Sequence, residues 1–328
     1  MKKMVLVSLF LAGAVIMLGA FTRLTDAGLG CPDWPGCYGY LSVPTKAEHV
    51  AAANEAFPER PVEAHKAWNE MIHRYFASTL GLFIVGICLF ALYKNDHRKP
   101  KKLPMFLVAL VVFQGLLGMW TVTLNLLPVV VMGHLLGGFT VLSCLLLLYL
   151  RLKKPGLNSP VSKKLALIAG GGIFVVAIQI ALGGWTSANY AALACTEFPV
   201  CEGQWQSNLD IKGAFSVPDA DNYEFGAHDY QERMTMHIVH RFGAVITFLY
   251  LCAVAWMLLR QRSQPLLKKA AIVLLITLFT QIALGVSNVV FSLPLAVAVA
   301  HNAVGACLLL VMVWITYTLS RSSGGFNG

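Results

Sequence analysis

Charged residues are scarce in this sequence. Asp, Glu, Lys and Arg together make up 12% of its 328 residues, whereas hydrophobic residues make up 57%. Typical soluble domains carry about 25% charged and about 45–50% apolar residues. A soluble chain of this length still needs a polar surface, so one core could not hide such an apolar excess. The composition therefore excludes a secreted or nucleic-acid-binding domain and predicts a protein that crosses a membrane several times.

Eight apolar runs are each long enough to cross a bilayer, which takes about 20 helical residues. Lipid offers no partner for free backbone groups, so helices are the expected form of every span. The sequence thus predicts an all-α membrane protein with eight transmembrane helices. The predicted spans are Met4–Thr22, Glu70–Tyr93, Leu103–Leu124, Pro128–Leu150, Leu165–Ser187, Thr235–Leu259, Leu266–Val290 and Leu293–Leu319.

Basic residues cluster at one end of these spans. If the N-terminus is cytoplasmic, most of the 25 Lys and Arg residues fall inside, as the positive-inside rule requires. Both termini are then cytoplasmic, and the long loops 23–69 and 188–234 lie outside. We expect the first span to be retained, because no clear signal-peptide cleavage site follows it. The inner basic residues are Lys2, Lys3, Lys94, Arg98, Lys99, Lys101, Lys102, Arg151, Lys153, Lys154, Lys163, Lys164, Arg260, Arg262, Lys268, Lys269 and Arg321.

The net charge of +9 is therefore explained by topology. The basic residues show no interleaved aromatic residues of the kind that a nucleic-acid surface needs. We predict membrane lipid as a partner and no nucleic acid.

The chain contains an internal duplication. Residues of rare types recur in order, first at an offset of 164 and then at 167, as one three-residue insertion would produce. An even number of spans gives both units the same orientation, which makes a parallel repeat. We predict two tandem pseudo-symmetric four-helix bundles, residues 1–155 and 156–328. The matching pairs are Gly19/Gly183, Thr22/Thr186, Cys31/Cys195, Pro35/Pro199, Cys37/Cys201, His73/His240, Arg74/Arg241, Gln114/Gln281, Gly118/Gly285 and His134/His301.

Four histidines are predicted at one depth near the outer face: His73 and His134 in the first unit, His240 and His301 in the second. Each stands roughly 24–30 Å above the inner end of its span at 1.5 Å per residue. Ionisable residues inside spans mark functional sites, and imidazole is a common iron ligand. Each pair is therefore a candidate axial ligand pair for a heme iron. Hydrogen bonding to a carbonyl is the alternative, and zinc lacks further ligands at this depth.

Three other residues near the histidines are candidates for chemistry. Arg74 and Arg241 would suit heme propionates, although snorkelling to the interface explains them equally well. Glu70 shares a helix face with His73, and its counterpart in the second unit is His237. A carboxylate in one unit only makes that unit the expected reaction site, where it would accept a proton or stabilise positive charge. The alternative is an acid that caps the helix start.

Two cysteine pairs lie in the outer loops, Cys31 with Cys37 and Cys195 with Cys201. The outer compartment permits disulfides. Each pair is expected to form one, either as a structural bridge or with a redox or heme-handling role. A zinc site of four thiolates is the alternative and would require that the two loops meet.

Taken together, these features resemble the heme A synthase family. The resemblance rests on the run Glu70-Met-Ile-His73-Arg74, the loop from Cys31 to Cys37, the duplicated units and the single histidine in spans four and eight. It covers nearly the whole chain, from the first span through His301. It implies that the protein oxidises the C8 methyl group of heme O to a formyl group, giving heme A, with oxygen from water.

The same resemblance assigns roles and a location. It implies that His73 and His134 flank heme O, that His240 and His301 ligate a resident heme b, and that Cys31 with Cys37 serves the reaction or heme transfer. It also implies a multi-pass protein of the bacterial inner membrane with periplasmic Cys loops. Heme O synthase and cytochrome oxidase assembly factors are the expected protein partners, and a homo-oligomer is compatible with the sequence.

Two rival functions fit part of the pattern. A bis-histidine cytochrome b would pass electrons without modifying heme, and a heme carrier or transporter would use the duplicated fold. Glu70 and the outer cysteine pairs favour the synthase over the cytochrome. A transporter is disfavoured because no span is clearly broken and the polar sites lie at the outer edge, not at the midplane.

Overall fold

The computed structural model describes residues 1–93, 100–155, 157, 160–261 and 263–322. All regular elements among these residues are helices, and the described residues contain no β-strand. One isolated β-bridge joins Cys37 and Tyr40. Eight of the helices are long and apolar enough to cross a membrane. The prediction of an all-α protein with eight candidate spans is confirmed. Among the basic residues predicted on the inner side, Lys94, Arg98, Lys99 and Arg262 lie outside the described residues.

The long helices follow the predicted spans closely. Two short helices, α2 and α7, and a 3-10 turn at Trp205–Asn208 lie in the long loops. The helices are α1 (Lys2–Leu24), α2 (Ala47–Ala56), α3 (Ala64–Tyr93), α4 (Lys102–Thr123), α5 (Pro128–Lys153), α6 (Lys163–Ala188), α7 (Ile211–Ala214), α8 (Tyr230–Leu259), α9 (Pro265–Val290) and α10 (Leu295–Ser322).

Helices α3 and α8 begin earlier than their apolar runs do. The reason is visible at α8, where the Asp229 side chain accepts a hydrogen bond from the Glu232 amide at 2.9 Å. The Glu232 carboxylate accepts one from the Asp229 amide at 3.1 Å, which completes a capping box. Polar residues therefore extend the helix into the loop. Because α3 likewise begins at Ala64, Glu70 lies inside this helix and does not cap its start.

Tight turns join α4 to α5 and α9 to α10. Asn125 and Leu126 adopt left-handed backbone angles, with φ of 49° and 62°. Ser292 and Leu293 do the same, with φ of 53° and 61°. These residues are 167 positions apart, so the turns recur at the offset of the sequence repeat.

Helix packing in the first half of the chain recurs in the second half. Helix α1 packs on α3 and α5, and α4 packs between α3 and α5. Helix α6 packs on α8 and α10, and α9 packs between α8 and α10 in the same way. The halves meet through α1, α5, α6 and α10. The buried core runs through all these helices and contains Ile84, Leu107, Leu145, Leu251, Leu274 and Met312.

Side chains also join the two halves at the C-terminal ends of α1 and α6. The Arg23 guanidinium donates to the carbonyl of Ser187 at 2.6 Å and lies 3.8 Å from the Tyr190 ring centre. The Tyr190 hydroxyl donates to the Asp26 carboxylate at 3.2 Å. Both hydrogen bonds join residues 164 positions apart. Each therefore connects a residue to its own counterpart in the sequence repeat.

Candidate functional site

The first histidine pair lies between α3 and α5. The ring centres of His73 and His134 are 6.4 Å apart, and the ring planes are nearly perpendicular at 82°. The Nδ1 atoms of both rings are buried and have no hydrogen-bond partner among the described residues. The Nδ1 atom of each ring is thus available as a ligand, while the His73 ring also meets the backbone of Val15 and the His134 ring the backbone of Gln114.

This spacing fits an iron atom held between the rings. A bond from a metal to an imidazole nitrogen is about 2.0–2.1 Å long, and the ring centre lies roughly 1.1 Å beyond that nitrogen. A linear pair of axial imidazoles therefore places its ring centres about 6.3 Å apart. The 6.4 Å separation of His73 and His134 matches this value, so the residues fit a heme ligated from both faces.

A glycine lies against every one of the four histidine rings. Each glycine belongs to the helix that packs beside the histidine, and a side chain there would press on the imidazole. The pairs, with the distance from a Cβ built on the glycine to the ring Cε1, are Gly19 and His73 (3.0 Å), Gly118 and His134 (3.4 Å), Gly183 and His240 (2.9 Å), and Gly285 and His301 (3.0 Å). The repeat-matched glycines thus clear room for the four rings.

The second histidine pair has amide partners. The Gln179 Nε2 lies 3.0 Å from both the Nδ1 and the backbone oxygen of His240. The Gln281 Nε2 lies 3.2 Å from the Nε2 of His301. In the first half, the amide Nε2 of Gln114, the counterpart of Gln281, is buried without a partner. The duplicated sites therefore differ in how the side-chain amides meet the rings.

Glu70 lies one turn from His73 on α3 and is 4% exposed. One carboxylate oxygen accepts a hydrogen bond from the Cys31 amide at 2.9 Å, and the other pairs with the Arg74 guanidinium at 2.5 Å. The carboxylate therefore connects the histidine helix to the first cysteine loop. His237, the counterpart of Glu70, is equally buried, and its Nδ1 has no partner among the described residues.

The two arginines beside the histidines bind the cysteine loops. Arg74 and Arg241 donate to three matching backbone carbonyls, since three acceptors of Arg241 lie 164 positions after those of Arg74. Arg241 also donates to the Cys195 carbonyl at 2.8 Å. The three shared acceptors are Asp33, Pro35 and Gly36 for Arg74, and Glu197, Pro199 and Val200 for Arg241. In both halves the guanidinium thus fixes the loop above the histidine.

Both predicted disulfides are present, Cys31–Cys37 and Cys195–Cys201. All four cysteines are buried, and each pair packs on the N-terminal part of its histidine helix. The Cys31 sulfur lies 3.8 Å from the Ala67 carbonyl of α3, and the Cys195 sulfur lies 3.9 Å from the Met234 carbonyl of α8. The cysteines therefore form one bridge within each loop.

The second loop has a carboxylate of its own. Glu202 accepts hydrogen bonds from the Thr196 hydroxyl and amide and from the Glu197 amide. These bonds hold the pKa of Glu202 at about 2, well below its ordinary value of 4.5, with the Thr196 side chain as the largest cause. Glu202 lies beside Cys195 and Cys201, whose disulfide removes their thiolates as metal ligands.

Sequence reasoning missed two parts of this arrangement. Gln179 was not singled out, because its counterpart in the first half is Val15 and the repeat gave no match there. The contact of Glu70 with the Cys31 amide was not foreseen either, because it depends on the fold of a loop 39 residues away in sequence. The matched glycines of the repeat were the one available signal for ring packing.

Comparison with known proteins gives the family. The model of the COX15-CtaA family, described as cytochrome oxidase assembly protein, matches residues 2–313. A heme A synthase from Shewanella oneidensis is 50% identical over 94% of this chain and 93% of its own length. Heme A synthases from Halalkalibacterium halodurans and Rickettsia akari are 28% and 27% identical, over 94% and 98% of this chain and 93% and 98% of their own lengths. The chain belongs to the COX15-CtaA family of cytochrome oxidase assembly proteins.

Proposed function

We propose that the chain is a heme A synthase that oxidises the C8 methyl group of heme O to a formyl group. With water as the oxygen source, a methyl group and one water give a formyl group, four protons and four electrons. The 50% identity to a heme A synthase over 94% of the chain supports the activity. The assignment of the site rests on one observation: the ring centres of His73 and His134 are 6.4 Å apart, and the buried carboxylate of Glu70 lies beside them.

We further propose that the chain forms two tandem, pseudo-symmetric four-helix bundles, residues 1–155 and 156–328. Equivalent helix contacts within each half and equivalent turns support this arrangement. The hydrogen bonds of Arg23 with Ser187 and of Tyr190 with Asp26 support an axis between the halves. Residues related by a two-fold axis can meet only near that axis, and these pairs are repeat counterparts.

In this proposal, the first bundle holds substrate and the second holds a resident heme. His73 and His134 flank the iron of heme O, and His240 and His301 ligate heme b. When bound, heme b supplies one-electron transfer. The Gln179 amide beside His240 would fix the orientation of that imidazole, as partners of the non-ligating ring nitrogen commonly do.

Glu70 is the proposed catalytic residue. It lies one turn from His73, on the side of the substrate, while the second half has a histidine at the equivalent position. Its hydrogen bonds to the Cys31 amide and Arg74 leave lone pairs on both oxygens. The carboxylate can therefore accept a proton released by the substrate or stabilise positive charge that develops on the methyl carbon.

The arginines and disulfides have supporting roles in the proposal. Arg74 and Arg241 hold the cysteine loops over the two sites, and a propionate of a bound heme would be a further partner for each guanidinium. Cys31 and Cys37, which are joined to Glu70 through the Cys31 amide, are assigned to the reaction or to heme transfer. Cys195 and Cys201 are assigned a structural bridge.

The proposed location is the bacterial inner membrane, with both termini cytoplasmic and the cysteine loops periplasmic. The basic residues at the inner ends of α5, α6 and α9 support this orientation. Heme O and heme A are the substrate and product. A heme O synthase and cytochrome oxidase assembly factors are the proposed protein partners, together with the surrounding lipid.

Pigment analysis tests the function directly. The chain is expressed together with a heme O synthase in a bacterium that makes no heme A, and the extracted pigments are analysed by mass. We expect a pigment with the mass of the formyl product, which is absent when the chain is omitted. Extracts that contain heme b and heme O but no heme A would overturn the synthase and favour a bis-histidine cytochrome.

A further inference from the structure

The second half closes the face between α8 and α9 with aromatic side chains. The rings of Phe248 and Phe279 meet edge to face, with their centres 5.8 Å apart. Phe248 and Ile282 also pack against the buried core. These three side chains, with Ala244 and Val245, line a shallow groove of about 280 Å³. The bilayer side of the proposed heme b site is thus walled by large side chains.

The first half lacks this wall at the equivalent positions. At the offset of 167, the counterparts of Phe248, Phe279 and Ile282 are Gly81, Val112 and Gly115. A Cβ at Gly81 would meet its nearest atom, in Val111, only at 4.0 Å, and a Cβ at Gly115 would meet no described atom within 4 Å. Val112 is 58% exposed. No side chain at these three positions bridges α3 and α4.

The open face leads to the first histidine pair. Gly115 lies one helical turn from Gly118, where a Cβ would be 3.4 Å from the His134 ring. Gln114, beside Gly115, is 8% exposed, and its amide Nε2 has no partner among the described residues. In the closed half, the matching amide of Gln281 meets His301 at 3.2 Å. A buried amide donor without a partner indicates a ligand that completes its hydrogen bonds.

We propose that the face between α3 and α4, where Gly81, Val112 and Gly115 replace the large side chains of the second half, is the lateral portal through which heme O enters from the bilayer and heme A returns to it. The inference rests on the proposed function. Heme O carries a long isoprenoid chain and partitions into lipid, and the substrate must exchange at every turnover. A resident heme b must stay in place. The two halves share a fold and differ at the positions that would control exchange.

The portal can be tested by placing the large side chains of the second half at the equivalent positions of the first half. The double variant Gly81→Phe/Gly115→Ile places the side chains of the second half into open space. In nanodiscs mixed with vesicles that carry heme O, we expect uptake of heme O to slow by about tenfold or more, a barrier increase of about 1.4 kcal/mol. The heme b content, measured by pigment extraction, stays at the wild-type level and reports intact folding.

The reciprocal change opens the second half. For Phe248→Gly/Ile282→Gly we expect heme b to be lost to empty vesicles about tenfold faster than from the wild type, while heme O uptake is unchanged. Heme b that remains as tightly held as in the wild type would contradict the idea that these side chains control exchange.

Two control variants separate the portal from other effects. Gly13→Phe adds the same bulk to α1, where a Cβ also meets no described atom within 4 Å, and should exchange heme O like the wild type. Ala177→Phe fills a groove of about 340 Å³ lined by α5, α6 and α10 and should also leave uptake unchanged. Slower uptake in Ala177→Phe, with normal uptake in Gly81→Phe/Gly115→Ile, would overturn the portal.

The assay also distinguishes failure of the portal from failure of the proposed function. A wild-type protein that makes heme A, together with a double variant that exchanges heme normally, rejects the portal and keeps the synthase. A wild-type protein that takes up heme O between α3 and α4 but makes no heme A rejects the synthase and keeps the portal.

Discussion

Glu70 is a carboxylate that the fold buries and then surrounds with donors. Removing a carboxylate from water costs several kcal/mol, and a paired, hydrogen-bonded geometry is what offsets that cost. Arg74 and the Cys31 amide provide that geometry. Loss of one partner of such a buried pair typically costs about 3–5 kcal/mol. Glu70 holds the first loop in addition to its proposed role in the chemistry, and a test has to separate the two effects.

We expect Glu70→Gln to abolish heme A formation and to leave heme b bound. Glutamine can still accept the hydrogen bond from the Cys31 amide, but it cannot take up a proton as a carboxylate does. Glu70→Ala should also lose heme A and, in addition, destabilise the loop that carries Cys31. Pigment extraction measures both hemes, and a thermal melt measures the loop effect.

Glu63→Gln is the matched control, because Glu63 lies just before α3, pairs with Lys66 and is exposed. It should behave as the wild type in both measurements. Heme A output from Glu70→Gln at the wild-type level would remove this carboxylate from the mechanism.

For individual residues, the sequence predicted the candidate ligands but not the side chains that surround them. His73 and His134 were recognisable because the duplication repeats them, and the 6.4 Å ring separation fits their predicted use. Gln179 could not be recognised, because a side-chain amide that serves one histidine leaves no periodic trace in the sequence. Its role depends on which helix faces α8, and a single sequence does not contain that information.

Among the elements, the cysteine loops depart most from expectations based on hydropathy. Helices α2 and α7 lie in segments without a long apolar run, and α8 begins at Tyr230 because a capping box extends it. The membrane spans, by contrast, were predictable to within a few residues at most ends, because lipid imposes a length on every apolar helix. Loops outside the membrane are under no such constraint.

The Glu202 loop should loosen in acid. A carboxylate whose folded pKa is depressed to about 2 stabilises the folded loop above its ordinary value of 4.5, and this contribution is lost as the pH falls from 4.5 towards 2. The amides of Thr196 and Glu197 donate hydrogen bonds to the Glu202 carboxylate. We expect these two amides to lose hydrogen-exchange protection over that pH range. Mass-spectrometric exchange of the loop peptide measures it.

In the Glu202→Gln variant, the loop amides should exchange faster than in the wild type at neutral pH. Their protection should show no further decrease in acid. Glu197→Gln is the comparison variant, since the Glu197 side chain is exposed on the same loop, and it should keep the wild-type profile. A loop whose protection is constant from pH 5 to pH 2 would contradict the role of Glu202.

At the level of the whole molecule, the two halves meet through an apolar interface of α1, α5, α6 and α10. A few polar contacts near the C-terminal ends of α1 and α6 add to it. The repeat was predictable from the sequence, because rare residues recur in order. Which helices would face each other was not predictable, since α1, α5, α6 and α10 are all uniformly apolar. The contacts among Arg23, Asp26 and Tyr190 show why α1 faces α6, but they are visible only in the structure.

Arg23→Met should weaken the joint between the halves. It removes a charged hydrogen bond to Ser187 and the guanidinium above Tyr190, while it keeps most of the side-chain volume. A hydrogen bond to a charged group contributes about 1.5–3 kcal/mol, so we expect the melting temperature of the solubilised protein to fall by several degrees. Lys46→Met, at an exposed loop position, should melt as the wild type.

The four imidazoles all lie near the loop ends of their helices, on the side of the disulfides. If that side faces the periplasm, the protons released when a methyl group becomes a formyl group have a short path to the outer compartment and a path of roughly 24–30 Å of helix to the inner one. Acid equivalents from this biosynthetic step would then be deposited outside the cell membrane.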